Sequence, residues 1–322
     1  MKKALVVGLN SYSSCPLDWC DNDANSIADL LESNSDGSPN FDVKSIVDYC
    51  DKATLDRAID KVFADEADIA LFYFSGHGSD KDQGYICTSD FDKDTPGISM
   101  SDIIMRANQS RCKNKVIILD CCFSAKIGEF SLANNESVLG EGVTIMSASQ
   151  SWQLSEENHA IQHGVFTQLL IQGLNGGAAD IRGNITPASL YAFVDQSLGA
   201  WQQRPVFKTN ISQFLPLRNV QPKVPTATLR KISAYFKSPS DQFALDPSFE
   251  FTNTEDNHIS PIEPYADEDN VAAFKDLQLF ESVGLVEPVD AEHMYFAAME
   301  SKSCKLTALG LHYWRLSKDH RF

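Results

Sequence analysis

The chain has 322 residues, of which 43% are hydrophobic and 22% are charged, a composition typical of a soluble globular protein with room for two domains. Its net charge of −17 at pH 7 argues against binding nucleic acid or an anionic membrane through a general basic surface. No window approaches the roughly 20 apolar residues of a membrane span, and the eight cysteines have neither zinc spacing nor the density of a disulfide scaffold. We therefore expect a cytoplasmic protein with reduced thiols and no membrane or nucleic-acid partner.

The first part of the chain alternates predicted strands with predicted helices. Residues 1–10 have the charged tip of a signal peptide, but their apolar run is too short, and we interpret them as the first strand. A polar loop at 18–24 then leads to a helix that the apolar spacing places from Ser26 onward. An alternating strand at 43–47 and an amphipathic helix from Thr54 follow.

Two apolar runs without alternation predict strands buried on both faces, as in a parallel sheet covered by helices. The run at 68–74 ends in Ser-Gly-His-Gly at 75–78, and the run at 115–119 ends in Asp-Cys-Cys at 120–122. Ligands bind at the carboxyl ends of strands in open α/β sheets. A histidine and a thiol at these two ends are therefore well placed for catalysis.

The remaining predicted elements complete an α/β pattern. They are, in order, a short strand at 84–88, an acidic loop at 89–97, a helix start at 99–102, a strand at 143–148, a helix at 165–174, a helix begun by Thr186 and Pro187, and an edge strand at 204–208. The alternation predicts a mostly parallel sheet of about six strands with helices on both faces.

Beyond residue 217 the composition changes. Residues 219–226 contain two prolines and predict a linker, so we place one domain at 1–218 and a second at 225–322. The elements predicted in the second are a helix at 271–282, a hairpin of 293–299 with 303–306, and a helix from Thr307. This order resembles the latter half of a winged helix, but no recognition helix with clustered Lys or Arg is present. We interpret the second domain as a small α+β sensing or regulatory domain.

His77 and Cys122 together suggest cysteine-dependent acyl transfer. An imidazole can take the proton of a thiol and later protonate a leaving amine. Taken singly, a buried cysteine usually packs as a small hydrophobe and a lone histidine usually packs as well. Together, at two strand ends and with glycine on both sides of His77, they favour catalysis.

The stretches Tyr-Phe-Ser-Gly-His-Gly at 73–78 and Leu-Asp-Cys-Cys-Phe-Ser at 119–124 resemble the two catalytic motifs of the caspase-like peptidases, most closely those of metacaspases and bacterial orthocaspases. The resemblance spans about 3–210 and includes Gly-Val-Phe-Thr at 164–167. It implies a caspase-like fold. The roles it implies are Cys122 as nucleophile with Cys121 as its neighbour, His77 as general acid and base, and the backbone amides of Gly78 and Cys122 as the oxyanion hole.

The same resemblance implies an acidic pocket for the side chain at the cleaved position. The matching residues are Cys20 and Asp23 in the first loop, Ser75, and Asp120. Two carboxylates suit an arginine, whose guanidinium donates paired hydrogen bonds to carboxylate oxygens, so the expected partners are proteins or peptides with Arg or Lys at the cleaved position. Asp23 has a second interpretation, as an acid that complements the dipole at a helix N-terminus.

No cofactor is implied with certainty. The acids Asp90, Asp92 and Asp94 have the spacing of a calcium loop, and some metacaspases need calcium. However, Thr95 replaces the usual glycine at the sixth position and no glutamate closes the loop, which favours a solvated acidic loop.

Three basic residues lie between the predicted catalytic cysteine and the helix at 165–174. Lys126 is the only basic residue of 126–141, the stretch cut in activated caspases, so we expect activity without processing. We interpret His159 and His163 as surface residues.

Two function classes remain open. The first is an endopeptidase that cuts after Arg or Lys. The resemblance to bacterial members of the family further implies a signal-activated effector in stress or antiviral defence, with a small nucleotide-type activator at the C-terminal domain. The second is a non-proteolytic interaction or regulatory module that acts through that domain. The intact His77 and Cys122 motifs favour the first.

Overall fold

The computed structural model describes residues 1–13, 15–79, 84–92, 96–121, 139–148, 157–158, 162–198, 205–256 and 261–322. The chain divides into two compact units, residues 1–221 and 222–322. Among the helices of these described ranges, none is long and apolar enough to cross a membrane.

The N-terminal unit alternates strands and helices. Its strands are β1 (Lys2–Leu9), β2 (Phe41–Asp48), β3 (Ile69–Ser75), β4 (Gly78–Ser79), β5 (Tyr85–Ile86), β6 (Ile98–Ser99), β7 (Asn114–Asp120), β8 (Val143–Ser147), β9 (Glu157–Asn158), β10 (His163–Gly164), β11 (Asn184–Ile185), β12 (Val206–Asn210) and β13 (Arg218–Asn219). Its helices are α1 (Cys20–Glu32), α2 (Lys52–Phe63), α3 (Met100–Gln109), α4 (Val165–Gln172), which continues into a π-helical turn at Gly173–Gly177, and α5 (Pro187–Ser197).

Six of these strands form the central sheet, in the order β12-β8-β7-β3-β1-β2. Every neighbouring pair is parallel except β12 with β8, which is antiparallel. This confirms the predicted α/β fold with a mostly parallel sheet of six strands. The edge strand β12 begins directly after Pro205, a position where a missing backbone donor is tolerated.

The sheet is buried on both faces because helices cover it from both sides. All seven residues of β3 and all seven of β7 are buried. Phe72 packs in one apolar cluster with Ile103 of α3, while its neighbour Leu71 packs in the other with Ile27 of α1 and Leu190 of α5. Successive strand residues thus enter opposite cores, which explains why the sequence shows no polar alternation here.

Helix α1 begins at Cys20, so the prediction of a polar loop at 18–24 and a helix from Ser26 is wrong. Asn10 supplies the missing cap, because its Oδ1 accepts hydrogen bonds from Cys20 N at 2.9 Å and Asp21 N at 3.4 Å. The hydrogen bond from Cys20 N joins residues ten positions apart. Capping patterns in the sequence consider only the residues next to the helix start, so they do not predict it. Gly8 is required on β1, since a Cβ there would overlap with the Cys20 carbonyl.

The C-terminal unit is a three-stranded antiparallel sheet with helices. Its elements are α6 (Thr226–Arg230), α7 (Ile232–Tyr235), β14 (Gln242–Ala244), a 3-10 turn at Pro247–Phe249, α8 (Glu268–Ser282), β15 (Val286–Val289), α9 (Met294–Met299), β16 (Ser303–Leu306) and α10 (Ala308–Lys318). The strand order is β14-β16-β15. Phe236, Phe274 and Phe280 are fully buried, and Trp314 Nε1 donates to Phe236 O at 2.6 Å, so this unit has an aromatic core of its own.

The predicted hairpin of 293–299 with 303–306 is wrong. Residues 294–299 form α9, and β16 pairs with β15 and β14 instead. The apolar run suggested a strand, but Met294 and Ala297 are buried while Tyr295 and Phe296 are 44% and 41% exposed, which is a helical pattern of burial.

Helix α5 begins with the predicted Thr186-Pro187 signal, in a capping box where Thr186 Oγ1 accepts from Ser189 N at 3.2 Å and Ser189 Oγ accepts from Thr186 N at 3.0 Å. We expect Thr186→Ala to lower the free energy of unfolding by about 1 kcal/mol, measured by urea or thermal unfolding. Thr186→Ser keeps the hydroxyl and should leave stability near that of the wild type. Equal losses in both variants would contradict the capping role.

Candidate active site

The two predicted catalytic residues follow neighbouring strands of the sheet. β3 and β7 pair in parallel as far as Ser75 opposite Asp120, and Gly76 N donates to Asp120 O at 3.2 Å. His77 and Cys122 are each two positions beyond that last pair in the sequence. Neighbouring strands lie about 4.8 Å apart, so the described ends of β3 and β7, which precede the two residues in the sequence, lie side by side at one edge of the sheet. Cys122 itself lies outside the described residues.

The vicinal thiol, Cys121, lies in the core. It is 1% exposed and packs in the same apolar cluster as Phe74 and Leu119. A thiol in apolar surroundings resists ionisation and is a poor nucleophile. This burial supports Cys122 over Cys121 as the reactive thiol.

The imidazole of His77 is held by two neighbours. Its Nε2 lies 2.6 Å from Cys15 O. A carbonyl oxygen only accepts, so Nε2–H is the donor, and in the neutral ring Nδ1 carries the lone pair that can take a proton. The ring of Tyr12 packs edge-on against the imidazole, with ring centroids 4.6 Å apart.

The hydroxyl of Tyr12 also holds the backbone of the histidine loop. It accepts from His77 N at 3.1 Å and donates to Cys87 O at 3.2 Å. Burial raises the pKa of Tyr12 well above its usual value, so the phenol stays protonated and can make both bonds. Cys87 N in turn donates to His77 O at 2.9 Å, and Gly78 pairs with Ile86 of β5. The backbone on both sides of His77 is therefore fixed.

Asp23, in the first turn of α1, is 2% exposed and is hydrogen-bonded to Ser75, His163 and Gly164. Ser75 Oγ donates to its Oδ2 at 3.0 Å. His163 Nδ1 lies 2.8 Å from its Oδ1, and Gly164 N donates to the same oxygen at 3.3 Å. These donors come from β3 and β10, so the carboxylate joins three elements that are distant in the sequence.

Asp120, at the end of β7, is 7% exposed and is bound by the first turn of α4. Its Oδ2 accepts from Thr167 Oγ1 at 2.6 Å and from Thr167 N at 3.3 Å. Because that hydroxyl proton is used, the phenol of Tyr73 donates to Thr167 Oγ1, at 2.5 Å. Burial raises the pKa of Tyr73 well above its usual value, which preserves this donor.

Gly164 brings the two acids together. A Cβ at this position would lie 2.7 Å from Asp120 Oδ2 and 3.4 Å from Asp23 Oδ2. Gly164 is also the N-cap residue of α4, and the amides of this helix end donate to both carboxylates. The positive end of the helix dipole lowers the cost of holding two negative charges in one buried place.

The structure corrects two predictions about these residues. Cys20 and Asp23 lie in α1 and not in a loop; Cys20 is buried one turn before Asp23. His163 is not a free surface residue, because its ring contacts Asp23. The alternative for Asp23, an acid at a helix N-terminus, is compatible with its position in α1 but does not account for its contacts with β3 and β10.

Sequence reasoning missed Tyr73, His163, Gly164 and Thr167 as parts of this site. The signal was present in the Gly-Val-Phe-Thr motif at 164–167, which was assigned only to a helix. Asp94, Lys126 and His159 lie outside the described residues. Asp90 accepts a hydrogen bond from Lys52 N, and within the described part of the chain no three His, Cys, Asp or Glu side chains are grouped to hold a metal.

Comparison with known proteins agrees with this architecture. The family model described as Caspase domain matches residues 1–215. Among solved structures, the chain is similar to "Crystal Structure of Caspase-1 from Spodoptera frugiperda", with a TM-score of 0.50 and 14% identity, covering 68% of this chain and 90% of that one. No curated protein sequence matches. At this identity the structural likeness shows the fold alone, whereas the family match covers more than half of the chain, so this protein belongs to the caspase-domain family of cysteine peptidases.

Proposed function

We propose that this peptidase cleaves proteins after Arg or Lys with a dyad of Cys122 and His77. One observation carries the proposal: Asp23 and Asp120 are both buried against Gly164, Asp120 at the end of β7 and Asp23 bound to Ser75 at the end of β3. Two carboxylates at this place suit a cationic side chain better than an apolar or an acidic one.

The charge of the pocket selects its ligand. Two buried carboxylates repel each other, and a cation between them relieves that repulsion. A planar guanidinium donates in pairs to carboxylate oxygens, whereas an ammonium does so as a point charge, so arginine should be preferred over lysine. An Asp side chain at the cleaved position would meet like charge.

The chemistry follows from the fixed tautomer of His77. With Nε2–H donated to Cys15 O, Nδ1 takes the proton of the Cys122 thiol, and the thiolate attacks the scissile carbonyl carbon to form a tetrahedral oxyanion. The amides of Gly78 and Cys122 stabilise that oxyanion. The intermediate then collapses: the C–N bond breaks, the protonated imidazole gives its proton to the leaving amine, and a thioester to Cys122 remains. Water, deprotonated by His77, attacks the thioester, and the C–S bond breaks to release the acid product and the thiol.

We further infer that the protein belongs to the metacaspase and orthocaspase branch and that the C-terminal unit is a regulatory domain. The acidic pocket supports the first inference. The second is supported by the separate aromatic core of residues 222–322. In this proposal the unit receives a signal, such as a small nucleotide, and releases the protease as a bacterial stress or antiviral effector.

The primary test is hydrolysis of fluorogenic peptides that differ only in Arg, Lys, Asp, Leu or Ala at the cleaved position. We expect cleavage after Arg, weaker cleavage after Lys, none after Asp, and no activity in Cys122→Ala. Asp120→Asn keeps shape and removes one charge, and should raise KM for the Arg peptide at least about tenfold. Cleavage after Asp, or an unchanged cellular effect of Cys122→Ala, would contradict the proposal.

Gly164→Ala tests the pocket sterically. The added methyl would meet Asp120 Oδ2 at 2.7 Å, so the two carboxylates must move apart. We expect kcat/KM for Arg peptides to fall at least about tenfold, while alkylation of Cys122 by iodoacetamide, which needs no pocket, keeps its wild-type rate. Parallel loss of both would indicate a general folding defect instead.

Tyr12→Phe tests the support of the histidine loop. The ring remains against His77, but the bonds to His77 N and Cys87 O are lost. Since one neutral hydrogen bond contributes about 0.5–1.5 kcal/mol, we expect kcat to fall roughly 3- to 10-fold with little change in KM. A rise in KM with unchanged kcat would show that Tyr12 acts on substrate binding.

A further inference from the structure

His163 is not among the predicted site residues, but its side chain contacts Asp23. It begins β10, its side chain is 19% exposed, and its Nδ1 lies 2.8 Å from Asp23 Oδ1. Gly164, the next residue, donates its backbone N–H to the same oxygen. Two consecutive residues thus hold one oxygen of Asp23 while Ser75 binds the other.

The protonation state of His163 determines whether its contact with Asp23 only orients the carboxylate or also neutralises its charge. Burial lowers the pKa of the imidazole and so favours the neutral ring, which donates Nδ1–H to the carboxylate. A neutral donor fixes the plane of Asp23 without cancelling its negative charge. An Arg or Lys at position 163 would instead neutralise the acid and occupy it.

We propose that His163 is a positioning residue for substrate specificity, which orients the carboxylate of Asp23 to receive the guanidinium of an arginine at the cleaved position. This rests on the proposed function. A bidentate pair requires both carboxylate oxygens to lie in the plane of the guanidinium, and a rotated carboxylate loses one of the two bonds. Binding of an arginine side chain should therefore depend on His163, whereas the rate of the chemical step at Cys122 and His77 should not.

A merely structural role is the competing explanation, since His163 also ties β10 to α1. Such a role would affect folding and the dyad together. Two variants separate the explanations: His163→Leu has a similar size but no donor, and His163→Asn retains an N–H close to the position of Nδ1.

The experiment uses the full-length wild type and both variants. It measures kcat and KM for an Arg peptide. It also measures the rates at which Cys122 is alkylated by iodoacetamide and by an arginyl chloromethyl ketone. For His163→Leu we expect KM to rise about tenfold, kcat to stay within about twofold, and only the arginyl reagent to react more slowly. His163→Asn should recover KM to within about threefold of the wild type.

A KM equal to that of the wild type in His163→Leu would overturn the inference. It would also be overturned if His163→Leu lost both kcat and iodoacetamide labelling and His163→Asn did not restore them. A wild type whose Cys122 reacts with iodoacetamide but shows no preference for the arginyl reagent would overturn the proposed function, and the inference with it.

Discussion

The site depends on holding two carboxylates in one buried place. Asp23 and Asp120 would repel each other and lose their hydration if they were merely brought together. The fold supplies donors for both: Ser75, His163 and Gly164 for Asp23, and Thr167 for Asp120. Because the backbone amides of Gly164 and Thr167 lie at the start of α4, the placement of one helix end allows the two acids to be buried together.

That placement depends in turn on close packing around glycine. Gly8 lets the first turn of α1, which carries Asp23, approach β1, and Gly164 lets the start of α4 lie close to both acids. Asn10 then fixes where α1 begins. The scaffold beneath is a sheet with both faces covered, so its strand ends have little freedom to move.

The site separates two tasks between different parts of the chain. Tyr12, Cys15 and Cys87 hold the backbone and ring of His77, whereas α1 and α4 hold the acids. The similarity to an insect caspase at only 14% identity, across 90% of that chain, shows that the fold tolerates extensive change in sequence.

The sequence alone determined the parallel sheet, the two strand ends that carry His77 and Cys122, and the capping of α5, because burial on two faces and local capping both leave short-range patterns. It named Asp23, Ser75 and Asp120 through resemblance. Only the tertiary structure decided the start of α1, the helix at 294–299, the burial of Cys121 and the contact of His163 with Asp23. The start of α1, the burial of Cys121 and the contact of His163 rest on partners outside the local sequence, and local periodicity carries no information about such partners.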